Sequence, residues 1–184
     1  MKIYVVIAKV ELIKKPEWLD DFRAKYDEPF EPHITLKQPA FIEESEAEEI
    51  DERLKVVLAD YTSPLTIRFD KLHPDPGSSD NACIMIDSDK NGGIADLQKK
   101  IAKALASYSN YYKPYYREYE INFQPHITIA RDLDKPRYQE ALQTLDRDYS
   151  CVGQVNEIKL IVVQNFGPTE ANMPSNQTIY HLGL

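Results

Sequence analysis

The chain has 184 residues, of which 42% are hydrophobic and 28% charged, which fits a globular protein with a sizeable buried core. Its net charge of −8 argues against binding long duplex DNA, since such binding relies on Lys and Arg side chains that neutralise phosphates. Without a membrane-length apolar stretch, a metal-type cysteine spacing or a Gly-rich phosphate loop, we expect a cytoplasmic protein that uses no membrane and no cofactor.

The first half of the chain predicts alternating strands and helices. A β-branched run over residues 3–10 predicts a strand, and a helix begins near Pro16 and ends near Tyr26. A short strand is predicted over residues 33–38, and apolar residues at helical spacing predict a helix over 47–58. Strict alternation then predicts a third strand over residues 65–72.

After a turn-rich segment at residues 73–81, the same order of elements begins again. The predicted elements are a strand at 82–87, a helix at 94–105, a strand at 126–130, a helix capped by Asp134, and strands at 157–164 and 178–184. The chain therefore has β-α-β-α-β order twice, with an extra terminal strand. We predict an α+β fold of two duplicated lobes, about 1–76 and about 77–184, that share one core within a single domain.

One short motif occurs in both predicted lobes. It is Pro32-His33-Ile34-Thr35-Leu36 in the first lobe and Pro125-His126-Ile127-Thr128-Ile129 in the second. Residues i and i+2 of a strand point to the same face, so each copy places an imidazole beside a hydroxyl and buries its aliphatic residues on the other face. We therefore expect both His-Thr faces to meet in the groove between the lobes.

These residues supply the groups that phosphodiester chemistry needs. Histidine titrates near neutral pH, so one imidazole can remove a proton from the attacking hydroxyl while the other protonates the leaving oxygen. The hydroxyls of Thr35 and Thr128 can donate hydrogen bonds to the non-bridging phosphate oxygens. Lys37 has the strand parity of His33 and is expected to point into the same groove. Arg131 could swing towards the phosphate from the strand end, although either cation could equally be a solvated strand-end residue.

The paired motifs resemble those of the two-histidine (2H) phosphoesterase superfamily, which includes 2′-5′ RNA ligase-like proteins and cyclic nucleotide phosphodiesterases. The segment from Pro125 to Arg131 is close to the second motif of the ligase-like branch, whereas the first motif continues into Lys37-Gln38-Pro39 instead of an aromatic–Leu–Gly sequence. The resemblance implies two mainly antiparallel sheets lining a central cleft, with helices outside. It also implies metal-independent cleavage or formation of a 2′ phosphate ester, typically through a 2′,3′-cyclic phosphate.

Within that resemblance, His33 and His126 become the acid–base pair, and Thr35 and Thr128 the phosphate ligands. The implied substrate is a nucleotide or an RNA end that carries a cyclic or 2′-linked phosphate. Two other functions stay open. The cleft could bind nucleotides or RNA ends without catalysis, or the histidines could hold a metal together with His73 and His181, although no short ligand spacing supports a metal site.

The segment from Tyr111 to Arg117 is unusually rich in tyrosine. Its aromatic rings beside Lys113 and Arg117 could stack a nucleobase, or they could cover the core as amphipathic side chains. The sequence favours the second role without excluding the first.

Overall fold

A computed structural model describes residues 1–27, 30–77, 81–90, 92–145 and 148–183 of the chain. Its strands are β1 (Lys2–Lys14), β2 (His33–Ile42), β3 (Leu65–Asp75), β4 (Ala82–Ser88), β5 (Asn110–Tyr111), β6 (His126–Leu133), β7 (Cys151–Val163) and β8 (Gln177–His181). Its α-helices are α1 (Trp18–Tyr26), α2 (Ala47–Leu58), α3 (Gly93–Ala104), α4 (Tyr116–Ile121), α5 (Lys135–Thr144) and α6 (Pro168–Ala171).

The α+β class and the repeated order of elements are confirmed. The first half has the order β1-α1-β2-α2-β3, and the second has β4-α3-β6-α5-β7 with β5 and α4 inserted before β6. Asp134 caps α5 as predicted, since its carboxylate accepts a 2.8 Å hydrogen bond from the Arg137 N–H. The division into two lobes stays a prediction, and part of the segment at its boundary, residues 78–80, lies outside the described residues, as does Leu184 at the end of the predicted last strand.

The strands of the described residues form one antiparallel sheet where two were expected. Its order is β5-β2-β1-β7-β3-β4-β6, and β8 also pairs with β7. Strand β7 joins the two halves, because it pairs with β1 along one edge and with β3 and then β8 along the other. Four strands separate β2 from β6 in this order, yet these two strands contact each other. The sheet therefore curls strongly and brings both motif strands to one cleft.

The aliphatic residues of both motifs are buried as the alternation predicts. Ile34 and Leu36 of β2 and Ile127 and Ile129 of β6 lie in one continuous core, to which helix residues such as Leu19 of α1 and Leu97 of α3 also belong. Burying each of these four strand side chains stabilises the fold by about 1.5–3 kcal/mol. This contribution determines that the aliphatic face of each strand points to the core and the histidine face points away from it. None of the helices in the described ranges is long and apolar enough to cross a membrane.

A glycine in β7 lets three strands approach closely at the junction of the sheet. Gly153 pairs with Leu12 of β1 and with Ile67 of β3, and a Cβ atom at this position would overlap Cγ1 of Val10 and lie 3.3 Å from the Phe69 ring. Both neighbouring side chains are buried and have little room to move.

We therefore predict that Gly153→Ala lowers the free energy of unfolding by about 1–3 kcal/mol, measured by urea denaturation. Gly167→Ala is the matched control, because its backbone is extended and no atom lies within 4 Å of the added Cβ. Equal unfolding midpoints for the two variants would contradict a tight junction at Gly153.

Candidate active site

The two motif histidines are held in the same way. His33 Nδ1 lies 2.8 Å from the carbonyl oxygen of Glu31, and His126 Nδ1 lies 2.8 Å from that of Gln124. A carbonyl oxygen only accepts, so each Nδ1 carries the hydrogen and donates it. In the neutral ring the lone pair is then on Nε2, which is the nitrogen left for a ligand.

The backbone before each histidine repeats as well. The N–H of Val10 in β1 donates to Pro32 O, and the N–H of Ser88 in β4 donates to Pro125 O, both at 2.8 Å. Each motif strand is thus anchored to its inner neighbour at the residue just before the strand begins. The sequence repeat corresponds to a repeat of three-dimensional structure.

The motif side chains line three adjoining cavities. His33, Thr35 and Arg131 line a cavity of about 240 Å³. Thr35 also lines a cavity of about 400 Å³ with His126 and Thr128, while Thr128 and Arg131 line an open trough of about 1,110 Å³. Because each cavity shares lining residues with the others, the three form one cleft. The structure therefore brings together five of the six predicted site residues.

Lys37 is the exception, and the prediction that it points into the groove is wrong. In the pairing of β1 with β2, Ile7 is opposite Thr35 but Val6 is opposite Lys37, so β2 contains one extra residue at this point. Such a bulge reverses the alternation of side chains. Lys37 consequently turns to the core face, and Gln38 lines the cleft beside Thr35.

The second motif has a bulge at the corresponding point. Met85 of β4 is opposite Thr128, but Ile84 is opposite Ala130, so β6 also gains one residue here. Ala130 is buried in the core and Arg131 faces the cleft. Without the bulge, strict alternation would bury Arg131, so this bulge places the arginine in the site.

Lys37 belongs to a buried ion pair behind the site. Its ammonium group donates to Glu120 Oε1 at 2.7 Å and to Ser109 Oγ at 2.9 Å, and the Tyr111 hydroxyl donates to the same carboxylate oxygen at 2.9 Å. The Lys37 side chain is 0% exposed, and its burial lowers its pKa. Since Glu120 lies on α4, the pair fixes this helix against the bulge of β2.

Arg131 is oriented by an acidic and an aromatic residue. Its Nε donates to Asp27 Oδ1 at 2.5 Å, and its guanidinium lies 4.2 Å from the centre of the Phe30 ring. Asp27 is only 1% exposed and also accepts from Arg23 Nη2 at 2.7 Å. Within the described part of the chain, the two Nη groups of Arg131 have no protein partner and are available for an anion. No sequence pattern indicates that Asp27 orients Arg131.

Burial lowers the pKa of both histidines. Burial, and then the positive charge of Arg131, lower the pKa of His33 to about 4, against the opposing effects of the Glu31 carbonyl and Asp27. Burial likewise lowers the pKa of His126, but the Gln124 carbonyl and then Asp87 oppose this effect. The two imidazoles are therefore in different electrostatic environments despite their equal geometry.

The tyrosine-rich segment divides between core and cleft. Tyr112 packs on Phe41 with 5.5 Å between ring centres, as expected for a side chain that covers the core. Tyr115, Tyr116 and Tyr119 of the next turn contact one another instead, and Tyr116 lines all three cavities of the cleft. Tyr115, Tyr116 and Tyr119 therefore form an aromatic wall of the cleft beside the motif residues.

The other histidines and the cysteines lie apart from any metal-like arrangement. Among the described residues, no group of three or more His, Cys, Asp or Glu side chains could hold a metal ion. His73 contacts Asp87, and His181 is exposed on β8. Cys83 and Cys151 are both free thiols.

The chain matches a known protein family and several curated relatives. A family model described as the 2′-5′ RNA ligase superfamily matches residues 10–165. A protein of Geobacillus thermodenitrificans named "Putative phosphoesterase" is 28% identical over 143 residues, which cover 76% of this chain and 75% of that protein. One of the same description from Bacillus cytotoxicus is 27% identical, over 85% of this chain and 91% of the relative.

Solved structures show the same fold at low sequence identity. Kluyveromyces marxianus Usb1 has a TM-score of 0.58 at 10% identity, with 98% of each chain covered. Escherichia coli LigT, solved in complex with NADP+, has a TM-score of 0.50 at 16% identity, with 100% of each chain covered. The arrangement of strands and helices thus recurs in proteins of very different sequence.

The buried position of Lys37 yields a stability prediction. Lys37→Met removes the partner of a buried carboxylate, so we expect the free energy of unfolding to fall by about 3–5 kcal/mol in urea denaturation. Adding Glu120→Gln to that variant removes the uncompensated charge and should restore part of the loss. Lys55→Met, which removes an exposed ion pair with Asp51, should have no measurable effect. An unfolding curve of Lys37→Met that matches the wild type would contradict the buried pair.

Proposed function

This chain belongs to the 2′-5′ RNA ligase superfamily, and we propose that it is a metal-independent phosphoesterase of RNA ends or small nucleotides. Its reaction is the cleavage, or the reversible formation, of 2′,3′-cyclic phosphate or 2′-5′ phosphodiester linkages. The net charge of −8 favours such small ligands over long nucleic-acid duplexes. Two free thiols fit a reducing, cytoplasmic location.

The observation that carries the proposal is the matched pair of histidines in one cleft. Both Nδ1 atoms are bound to backbone carbonyls, so both Nε2 atoms are left for a ligand. A binding module has no need of two titratable groups in equivalent positions. In-line displacement at phosphorus needs them, because the attacking and leaving oxygens are on opposite sides of the phosphorus atom and each exchanges a proton.

We assign the base to His33 and the acid to His126. With a pKa of about 4, His33 is neutral and able to take the proton of an attacking water or hydroxyl. The new P–O bond forms as the bond to the leaving oxygen breaks, and His126 transfers its proton to that oxygen. In hydrolysis of a cyclic phosphate, the product is a phosphate monoester and the two histidines exchange protonation states.

Charge on the phosphate is balanced by hydroxyls and one arginine. Among the described residues, the hydroxyls of Thr35 and Thr128 have no hydrogen bond within the protein, so both can donate to the non-bridging oxygens. The Nη groups of Arg131 can donate as well. Two neutral donors and one cation suit the single negative charge of a diester.

The aromatic wall supports a nucleotide as the substrate. Tyr116 and Tyr119 line the same cavity as His126 and Thr128, which has a volume of about 400 Å³. Aromatic side chains stack on bases of any type, with about 1–3 kcal/mol per base. The fold neighbour LigT was solved with NADP+ and with 3′-AMP, which agrees with a nucleotide ligand for this cleft.

The proposal is tested by turnover of nucleoside 2′,3′-cyclic phosphates and a 2′-5′ dinucleotide with EDTA present. We expect chelator-resistant activity that falls by about 10² or more in His33→Ala and in His126→Ala, since each loses one proton transfer. His181→Ala is the matched control on exposed β8 and should keep the wild-type rate. Nucleotide binding without turnover by the wild type would favour a binding module, and loss of activity in EDTA would favour a metal-dependent hydrolase.

The lowered pKa values of His33 and His126 also predict the pH dependence of kcat/KM. The base His33 must be neutral, so activity falls as the pH decreases towards about 4. The acid His126 must be protonated, so activity falls as the pH rises through a pKa below the ordinary value of 6.5. We expect a bell-shaped profile with its maximum at acidic pH. A profile that is flat from about pH 4 to about pH 8 would contradict these roles.

A further inference from the structure

The cross-strand neighbours of the two motif histidines differ in the sign of their charge. Lys9 of β1 pairs in register with His33, and Asp87 of β4 pairs with His126. These are equivalent positions, because β1 and β4 are the inner neighbours of the two motif strands. The equal geometry of the histidines is therefore combined with unequal surroundings, which fits unequal roles.

Asp87 is a buried carboxylate with a specific partner. It is 5% exposed, and its Oδ2 and Oδ1 atoms lie 3.1 Å and 3.3 Å from Nδ1 of His73. An ionised carboxylate only accepts, so the ring donates its Nδ1–H. His73 belongs to β3, is about half exposed and lines the same cavity as His126 and Thr128. The three groups form a series across adjacent strands, from His73 to Asp87 to His126.

The other charged groups around His126 are held by partners of their own. Arg131 is bound to Asp27, and the carboxylate of Asp75 accepts a 2.9 Å hydrogen bond from the Gly77 N–H. His33 of β2 interacts electrostatically with His126.

Three weak acids also line this cavity. Burial raises the pKa of Cys83 to about 11 and that of Tyr116 to about 12, and it raises the pKa of Tyr119 as well. These groups stay neutral throughout the range in which histidine titrates. Asp87 is therefore the acidic group whose negative charge acts on the His126 ring.

We propose that Asp87 and His73 are positioning residues for His126. Asp87 keeps the His126 ring protonated for its role as acid, and His73 weakens this effect by placing its own donor, or its own charge, on the carboxylate. This inference rests on the proposed function, because it explains how one of two equivalent histidines becomes the acid. Neither residue needs to touch the substrate.

Asp87 and His73 have opposite effects on the protonation of His126, so replacing them should shift the pH profile in opposite directions. Asp87→Asn keeps the shape of the side chain and removes the negative charge, so the alkaline limb of kcat/KM moves to lower pH. At about pH 7.5, kcat/KM then falls by about tenfold, while its value at about pH 5 changes much less. His73→Gln keeps a donor for Asp87 and removes the titratable ring, so the limb moves to higher pH.

The matched control is Asp96→Asn, which changes the net charge by the same amount at an exposed position on α3. It should leave both limbs in place. Circular dichroism and thermal unfolding verify that each variant is folded. A loss of kcat/KM that is uniform with pH, or limbs that move in the same direction in both variants, would show a merely structural role and overturn the inference.

A second measurement separates failure of this inference from failure of the proposed function. Histidine ring resonances, followed by NMR against pH in the protein without substrate, report the titration of His126 whether or not the protein turns anything over. A downward shift of the His126 titration in Asp87→Asn, with that of His33 unchanged, supports the positioning pair. If the wild type is active but the His126 titration does not move in Asp87→Asn, the positioning role of Asp87 and His73 is overturned and the proposed function stands. If the titration moves but the wild type is inactive, the proposed phosphoesterase function is overturned and the effect of Asp87 on His126 stands.

Discussion

The site depends on antiparallel pairing between each motif strand and its inner neighbour. This pairing makes side chains alternate between the helix-covered core and the opposite face, so burying Ile34 and Ile127 forces His33 and His126 to point away from the core. The hydrophobic contribution of the aliphatic residues thus fixes the direction of the polar ones. The curl of the sheet then brings the two polar faces to one cleft.

Two features adjust this simple alternation to give the chemistry. A bulge after each threonine changes the parity of the strand, which buries Lys37 in the first copy and presents Arg131 in the second. Buried carboxylates then hold the cations in place, with Glu120 bound to Lys37 and Asp27 bound to Arg131. The backbone is therefore alike at the two motifs while the side chains that follow them differ, and the site is asymmetric.

The sequence was sufficient to predict the α+β class, the order of the main elements and the motif residues, because periodic burial and a repeated motif leave strong local signals. It did not predict β5 and α4, whose tyrosine-rich sequence has no regular period. The orientation of Lys37 was predicted incorrectly, since a bulge has no signature in a single sequence. Asp27 and Asp87 also escaped prediction, because their roles arise from contacts between residues distant in the chain.

The most direct measurement is histidine side-chain NMR on the ¹⁵N-labelled protein, titrated with a nucleoside 3′-phosphate. If both histidines face one ligand, the Nε2 signals of His33 and His126 should shift together and saturate at one ligand per chain, while the exposed His181 stays unchanged. The neutral rings should also show Nδ1 as the protonated nitrogen, as the Glu31 and Gln124 carbonyls require. A shift of only one of the two rings, or of neither, would contradict a shared site.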